Sequence, residues 1–512
     1  MFIPAAVLLI VLPWLNPFAS GPSPAVVPLL FSWVCAAALV GVHGRSNDLS
    51  TNIQLNSGLD SRLASVAATA WLAAGLLSCA IGLLQYFGGG TSLLPWVNQA
   101  DLGQAFGNLR QRNQFASLTN IALAALVWLV AIGRVNRATL QLFALMAAGL
   151  LAAGNAASSS RTGLVQLVLL CVLCGWWGSG RPAHHRRVWQ VLAAAVVVYA
   201  LATVLLPWLA GFDLSLHGLA ARLRAGDDAC SSRLTLWSNV LHLIGQKPWL
   251  GWGLGELDYA HYVATYSGPR FCDILDNAHN LPLHLAVELG LPLAALLCGG
   301  ATWYVVRQRP WAEAEPGRQL AWSVLAIILL HSLLEYPLWY GPFQMAVALC
   351  VLMLWQPEPS GVQAHYAVPK SPLAQALYGP IAIVLIAICG YAAWDYHRIS
   401  QLYLVPESRS AAYRTDTMAK VRGSWLFSNQ VQFAELMLTP LEPGNAQWTF
   451  DTAGALLHYS PEPRVIEKRI EAAVMLGRDG DALEHLAHYR AAFPADHATW
   501  SKNNQNAPRP GN

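Results

Sequence analysis

A succession of long apolar runs is the feature that most limits what this chain can fold into. Of its 512 residues, 55% are hydrophobic and only 12% are charged, whereas charged residues make up about a quarter of an ordinary soluble domain. A run of about 20 apolar residues can cross the ~30 Å hydrocarbon core of a bilayer as a helix. The runs lack the alternation of barrel strands, and a helix satisfies its own backbone polar groups in lipid. The sequence therefore predicts an all-α polytopic membrane protein.

Residues 1–394 carry these runs, which predict about eleven transmembrane helices. The predicted spans are approximately 2–15, 25–42, 63–87, 113–133, 139–155, 162–178, 189–210, 282–306, 319–335, 340–356 and 377–394. A loop at about 211–280 is much longer than a helix-to-helix connection needs. Within it, Ser231 or Ser232 can cap an amphipathic helix that ends at Lys247-Pro248.

Basic residues in alternate connectors predict the orientation of these spans. They are Arg45 and Arg62, Arg134 and Arg137, Arg181 with Arg186 and Arg187, Arg307 with Arg309 and Arg318, and Lys370. The positive-inside rule puts this set in the cytoplasm. Because the predicted number of spans is odd, the large loop and residues 395–512 then lie on the outer side.

The charged tail at 395–512 predicts a soluble helical domain. Segments 461–476 and 479–493 have the pattern of two amphipathic helices around Gly477, and Pro494 closes the second. This spacing is typical of one tetratricopeptide-type hairpin, although a generic helical pair accounts for it equally well. The extreme C-terminus, rich in Asn, Pro and Gly, is predicted to be disordered.

Arginines on the predicted outer face oppose the orientation bias. Arg161 lies in a very short turn, Ser158-Ser159-Ser160-Arg161-Thr162, and Arg110, Arg112 and Arg233 add charge to the same face. A snorkelling arginine that contacts lipid phosphates accounts for such a position without any further function. The alternative is a guanidinium that binds a phosphate-bearing substrate, since arginine suits bidentate phosphate recognition. Several outer arginines around a membrane cavity would suit a lipid-linked diphosphate.

A histidine lies where the large loop enters the eighth predicted span. His279 is at this entrance, and His284 and Glu288 share one helix face further in. A histidine near a helix start more often caps or packs, and that interpretation stays open. A second polar cluster, in which Pro337 would free backbone carbonyls, supplies candidate cavity-lining residues. They are Glu335, Tyr336 and Tyr340.

Other motifs are absent from the sequence. It contains no H-E-x-x-H and no paired Cys/His spacing, which argues against a metal site. A Walker sequence and a dinucleotide fingerprint are also missing, so no nucleotide cofactor is expected. No dense Lys/Arg tract indicates binding to nucleic acid.

Four stretches together resemble the O-antigen ligase and O-antigen polymerase superfamily of bacterial envelope glycosyltransferases. They are Gln111-Arg112-Asn113-Gln114, Ser160-Arg161-Thr162, the run from Ser232-Arg233 to Gly255, and the run from His279-Asn280 to Gly290. The large outer loop is itself a hallmark of that group. Within it, segment 331–340, the Asn16-Pro17 turn and the tail through 461–494 look most like PglL-type protein O-oligosaccharyltransferases. Gln114 departs from the histidine expected at its position.

The resemblance implies transfer of a glycan from undecaprenyl diphosphate to a Ser or Thr hydroxyl of a periplasmic protein such as pilin. The reaction would take place at the inner membrane, without a metal or another cofactor, and direct attack would invert the anomeric carbon. The implied site residues are His279 as catalytic base, Arg112, Arg161 and Arg233 at the donor diphosphate, and Gln111, His284, Glu335, Tyr336 and Tyr340 along the cavity.

Two rival reactions lie within the same superfamily, namely O-antigen ligation onto lipid A core and O-antigen polymerisation. The sequence separates them from protein transfer only through the tail, which simpler ligases tend to lack. A lipid or solute transporter would also need many spans. It should show internal repeats or interrupted helices in matched halves, and the sequence shows none.

Two of the nine cysteines, Cys230 and Cys272, lie outside the predicted spans. Both fall in the large outer loop, and the periplasm permits disulfides. They are therefore a candidate disulfide pair, the alternative being two free thiols.

The connector charges make the orientation testable with reporter fusions after Trp394. We expect an alkaline phosphatase fusion to be active and a green fluorescent protein fusion to be dark, because the tail is predicted to be periplasmic. Fusions after Arg134 serve as the cytoplasmic control and should show the opposite pattern. A fluorescent, phosphatase-negative tail would reverse the orientation.

Overall fold

The computed structural model describes residues 2–48, 59–134, 137–178, 182–213, 218, 230–355 and 372–506. These residues form helices and no strand, so the predicted all-α fold is confirmed. Several predicted features lie outside the described residues: Arg181, Lys370, the side chain of Arg45, most of the loop before residue 230, and the extreme C-terminus.

Twenty α-helices, numbered here in chain order, build the described part of the chain. They are α1 (Phe2–Leu15), α2 (Val26–Asp48), α3 (Leu59–Tyr86), α4 (Arg112–Ala131), α5 (Ala138–Ala157), α6 (Arg161–Trp177), α7 (Pro182–Leu209), α8 (Arg233–Gln246), α9 (Leu257–Val263), α10 (Leu281–Leu289), α11 (Leu291–Gln308), α12 (Pro316–Ser332), α13 (Gly341–Trp355), α14 (Pro372–Ser400), α15 (Thr417–Val421), α16 (Ser428–Leu438), α17 (Ala446–Leu456), α18 (Pro463–Met475), α19 (Asp479–Ala492) and α20 (Pro494–Asn506). They form two compact units, Met1–Gly226 with Val305–Ala393, and Asp227–Tyr304 with Trp394–Asn512.

Five helices in the described ranges are long and apolar enough to cross a membrane, which fits a polytopic membrane protein. They lie within α3, α4, α5, α7 and α14. Shorter apolar segments occur in α1, α2, α6 and α13. The count of about eleven spans stays a prediction.

Helix α4 is the centre of the first unit. The apolar part of this helix is 89% buried, and the helix packs against α3, α5, α6, α7 and α12. Small residues allow close approach in this unit: a Cβ on Gly75 would overlap Ala122 of α4, and one on Gly154 would overlap Cys79. Such contacts replace the hydrophobic driving force that is missing between helices in lipid. The apolar helices therefore form a tightly packed bundle around α4.

The large loop and the tail contribute to one core in the second unit. Tyr262 of α9 is 2% exposed and packs among tail residues that include Phe433 and Phe450. Its hydroxyl lies 3.2 Å from His485 Nδ1, and Glu256 lies 2.6 Å from His458. The loop and the tail therefore pack together, while the predicted domains at 1–394 and 395–512 stay a prediction.

The predicted helical pair of the tail is present as α18 and α19, which pack against each other. Gly477 lies between them with φ 68, a left-handed conformation that favours glycine. Helices α16 and α17 also pack against each other, and α17 packs against α18. The tetratricopeptide character of the pair stays a prediction.

The eighth predicted span is not one helix. The sequence predicts a continuous helix over 282–306, but the structure has α10 and α11 on either side of Gly290. Gly290 has φ 82, and a Cβ there would overlap the backbone of Trp249. The N–H of Leu291 donates to the carbonyl of Pro248 at 2.8 Å instead of continuing the helix. The prediction of a single helix is wrong because the loop backbone occupies the break.

Cys230 and Cys272 are joined in the structure as a disulfide, with their Cα atoms 5.2 Å apart. The N–H of Cys272 also donates to the carbonyl of Cys230 at 3.1 Å. The bridge closes a separation of 42 residues. It therefore fixes the start of α8 beside the segment that leads to His279.

We expect this bridge to contribute roughly 4 kcal/mol to stability, through the entropy of loop closure. Denatured, purified protein should bind two more maleimide groups per chain after reduction than before it. The Cys230→Ser, Cys272→Ser double variant is the control, and its labelling should not change on reduction. Equal labelling of the parent protein before and after reduction would mean two free thiols.

Candidate functional site

Arg161 begins α6 in a closely held turn of the first unit. Ser159 has φ 51, and the hydroxyl of Ser160 accepts the N–H of Gly163 at 3.0 Å as an N-cap. The amide of Asn155 donates to the carbonyl of Gly163 at 3.3 Å. The Arg161 side chain is half-buried. The sequence Ser-Ser-Ser-Arg therefore fixes where α6 starts, and with it the backbone position of Arg161.

Asn113 connects this turn to α4 and to the segment after α12. Its amide nitrogen donates to Glu335 Oε1 at 3.0 Å, and its amide oxygen accepts from the Ser160 hydroxyl at 2.7 Å. Glu335 is only 6% exposed, and a buried carboxylate requires such donors. The structure thus brings together three of the stretches that the sequence identified, 111–114, 160–162 and 331–340.

A second set of buried polar contacts lies one to two turns further along α4. The Ser117 hydroxyl is 2.9 Å from His331 Nδ1, and Gln166 donates to that hydroxyl at 2.7 Å. Asn120 donates to the carbonyl of Gly163 at 3.0 Å. Sequence reasoning missed Ser117, Asn120 and Gln166 because each is isolated in an apolar helix. The available signal was a polar stripe on one face of α4, with Asn113, Ser117 and Asn120 at helical spacing.

The remaining predicted residues of the first unit lie beside these contacts in the chain. Gln111 is the N-cap position of α4, and Arg112 is its first residue. The rings of Tyr336 and Tyr340 are stacked with centroids 6.0 Å apart. All four side chains are half-buried. They are therefore partly accessible residues close in sequence to Asn113 and Glu335.

Arg233 begins α8 in the second unit. The hydroxyl of Ser232 accepts the N–H of Thr235 at 3.2 Å and caps the helix. One turn after Arg233, the indole of Trp237 donates to the carbonyl of Ala278 at 3.1 Å. This bond ties the first turns of α8 to the residue before His279.

His279 lies in the turn that leads into α10 and not within the helix. Its φ is 50, which is uncommon for a residue other than glycine. Its N–H donates to Asn277 Oδ1 at 2.9 Å, and Asn280 caps α10 by accepting from Leu283 N–H at 3.1 Å. The side chain is half-buried. An unusual backbone held by two asparagines is the kind of geometry found at functional sites.

His284 and Glu288 form a buried pair on α10. His284 Nε2 lies 3.5 Å from Glu288 Oε2, and Glu288 Oε1 accepts the N–H of Gly255 at 2.9 Å. The backbone of the loop also docks here, since the N–H of Gly253 donates to the Glu288 carbonyl at 3.0 Å. A Cβ on Gly251 would overlap that carbonyl. The glycines of the run at 248–255 therefore allow the loop backbone to pack against the C-terminal end of α10.

His261 of α9 is another histidine of the large loop, and its environment differs from that of His279. Burial lowers the pKa of His261 to about 3, and the positive charge of Arg270 acts in the same direction. Its ring lies 2.7 Å from the Tyr266 hydroxyl and 3.1 Å from the carbonyl of Phe271. His261 is thus a neutral histidine of the core, whereas His279 is half-buried.

The predicted site residues are divided between the two units. Arg112, Arg161 and Glu335 belong to the first, and Arg233 and His279 belong to the second. Within the described ranges, no group of three or more His, Cys, Asp or Glu side chains is arranged to hold a metal ion.

Three family profiles match consecutive parts of the chain. A profile described as protein glycosylation ligase matches residues 105–130, and one described as O-antigen ligase matches 146–298. A profile described as the C-terminal part of a virulence factor membrane-bound polymerase matches 319–507. The matched parts include Arg112 and Asn113, Arg161, and His279.

Two relatives come from the bacterium Acinetobacter baylyi. A general O-oligosaccharyltransferase is 23% identical over 364 residues, which are 70% of this chain and 61% of the relative. A ComP-specific O-oligosaccharyltransferase is 25% identical over 249 residues, which are 48% of this chain and 43% of the relative. The chain thus aligns with less than two thirds of the length of either protein.

These matches confirm the resemblance read from the sequence: the chain is related to the PglL-type protein O-oligosaccharyltransferases, within the O-antigen ligase and O-antigen polymerase superfamily.

Proposed function

We propose that this protein transfers a glycan from an undecaprenyl-diphosphate-linked donor to Ser or Thr hydroxyls of a periplasmic protein such as pilin. It would act in the bacterial inner membrane, with its C-terminal region in the periplasm. The observation that carries the proposal is the Asn113 network, which fixes the chain next to Arg112 and Arg161 at one end of an apolar helical unit. Two arginines placed there suit a phosphate ligand that is anchored in a membrane.

Arg161 and Arg112 have the proposed role of binding the donor diphosphate, and Arg233 is the third member of this group. Negative charge grows on the diphosphate as its bond to the sugar breaks. Guanidinium groups held in place before the reaction stabilise that charge without reorganisation. Their planar fork also orients a phosphate through two parallel hydrogen bonds. With this role assigned to arginines, the reaction requires no metal or other cofactor.

His279 has the proposed role of general base. The acceptor oxygen attacks the anomeric carbon while the bond from that carbon to the diphosphate breaks, and the hydroxyl proton passes to the imidazole. This single displacement inverts the configuration at the anomeric carbon. General-base assistance of this kind is typically worth about 10²–10⁴ in rate. The strained turn between Asn277 and Asn280 would keep the imidazole in a fixed position.

O-antigen ligation is the second candidate function, because the O-antigen ligase profile covers residues 146–298. That segment contains Arg161, Arg233 and His279, so the same chemistry serves either acceptor. The match of the protein glycosylation ligase profile to 105–130 favours a protein acceptor for this chain. The names of both relatives also indicate a protein acceptor.

The acceptor is tested in a host that lacks its own enzyme of this type and supplies a lipid-linked glycan. We expect co-expression with a pilin to give glycosylated pilin, detected as a mass increase on its Ser or Thr residues. A pilin without those residues is the control. Glycan on lipid A core only, or longer polymers only, would overturn protein transfer in favour of the rival reactions.

The proposed roles predict the effects of single substitutions on this transfer. His279→Ala should lower transfer by about 10²–10⁴, which is loss of detectable product in cells. Arg161→Ala should impair it severely, and Arg161→Lys should restore only part, because lysine lacks the bidentate fork. The measurement is acceptor glycosylation, with enzyme in the membrane quantified by immunoblot.

Two exposed residues provide matched controls. His242 is on α8, and Arg134 follows α4. His242→Ala and Arg134→Ala should both transfer at the parent level. Near-normal transfer by His279→Ala would leave His279 with a capping role only, and normal transfer by Arg161→Ala would leave Arg161 as a lipid contact.

A further inference from the structure

A long groove runs between α6 and α7 in the first unit. Its volume is about 770 Å³, within the range of pockets that hold small molecules. Its walls consist almost entirely of apolar side chains. Both helices pack against α4, and the groove is the space that remains between them.

The sequence of α6 explains the shape of this groove. Its lining residues recur three or four positions apart from Leu164 to Gly175, so they occupy one face over about 16 Å. Trp189 of α7 closes one end, since a Cβ on Gly175 would lie 3.5 Å from its ring. The groove is therefore elongated along the helices, as a hydrocarbon chain would require.

The other end of the groove lies next to Arg161, the residue proposed to bind the diphosphate. Leu164 is the first lining residue on α6, and it follows Arg161 by one helical turn. An arginine one turn beyond the end of an apolar groove matches a molecule with a phosphate head and a hydrocarbon tail. The lipid-linked donor is such a molecule.

Tyr199 contributes apolar surface to the groove. It is 5% exposed and lines the wall, and its hydroxyl oxygen is itself buried. Because a buried hydroxyl does not reach a molecule in the groove, Tyr199 adds apolar contacts there, which suit a hydrocarbon chain.

We propose that the groove between α6 and α7 binds the polyprenyl chain of the donor, with the diphosphate at Arg161. The identity of the donor rests on the proposed function. The binding site itself rests on the length of the groove, its apolar walls and the position of Arg161. Bulk phospholipid is the alternative occupant, and the experiment separates the two.

The test places a photo-crosslinking amino acid at Val168 in the groove and, as control, at Leu201 on another side of α7. The two positions are matched, because Val168 is 54% exposed and Leu201 is 53% exposed. The probe is radiolabelled undecaprenyl diphosphate without glycan, in phosphatidylethanolamine and phosphatidylglycerol vesicles with the full chain. We expect an adduct at Val168 that exceeds the one at Leu201 several-fold and disappears with excess unlabelled probe. Equal adducts, or an adduct at Val168 that does not saturate, would mean bulk lipid and overturn the proposal.

A pair of substitutions tests the same groove through the reaction. Ala200→Trp fills the groove, and Leu201→Trp adds the same bulk beside it. Loss of the apolar contacts should raise the KM for the lipid-linked donor about tenfold in Ala200→Trp and leave it near the parent value in Leu201→Trp. Equal KM values in the two variants would overturn the proposal.

The outcomes also separate the groove from the proposed function. The probe carries no glycan, so its binding does not depend on transfer. Selective labelling at Val168 without any transfer to protein would contradict the proposed function and support the polyprenyl groove. Transfer to protein without selective labelling would remove the groove and keep the function.

Discussion

The hydrogen bonds of Asn113 are the interaction on which the proposed donor site depends. A single amide contacts the carboxylate of Glu335 and the hydroxyl of Ser160, and Ser160 in turn caps α6. Each of these groups is costly to bury without a partner. Together they fix the register of α6 against α4, and with it the position of Arg161. The position of Arg161 at the start of α6 is thus decided by hydrogen bonds that its neighbours make.

The second unit uses backbone contacts for the same purpose. The glycines of the loop run at 248–255 approach α10 closely enough for Gly253 to bond the Glu288 carbonyl, and Gly290 allows the helix to stop there. The break leaves α10 as a short helix between the turn at His279 and the glycine that separates it from α11. His279 lies at its start, between a capped helix and the bond from Trp237 to Ala278. His279 is therefore held from both sides.

The sequence predicts those features that depend on local pattern. Apolar length and helical spacing predict the all-α fold and most helices, and Ser232 and Asn280 mark helix starts by their capping chemistry. The break at Gly290 could not be predicted, because a glycine in an apolar run is tolerated in a helix unless another backbone comes close. The central place of Asn113 could not be predicted either, because its neighbour Gln114 departs from the family pattern. The two hydrogen bonds of Asn113 become visible only in the packing of α4, α6 and the segment at 331–340. The roles of His279 and the arginines stay predictions, since geometry alone does not report a reaction.

The packing of Tyr262 against the tail makes the large loop and the tail depend on each other. Tyr262 is almost completely buried by tail residues, and Tyr259 stacks on His458 with ring centroids 3.8 Å apart. A protein that gained or lost this tail would leave two aromatic rings of α9 facing water, at a cost in solubility. Helix α9 and the tail therefore form one packing unit, and replacing the tail alone would expose both rings.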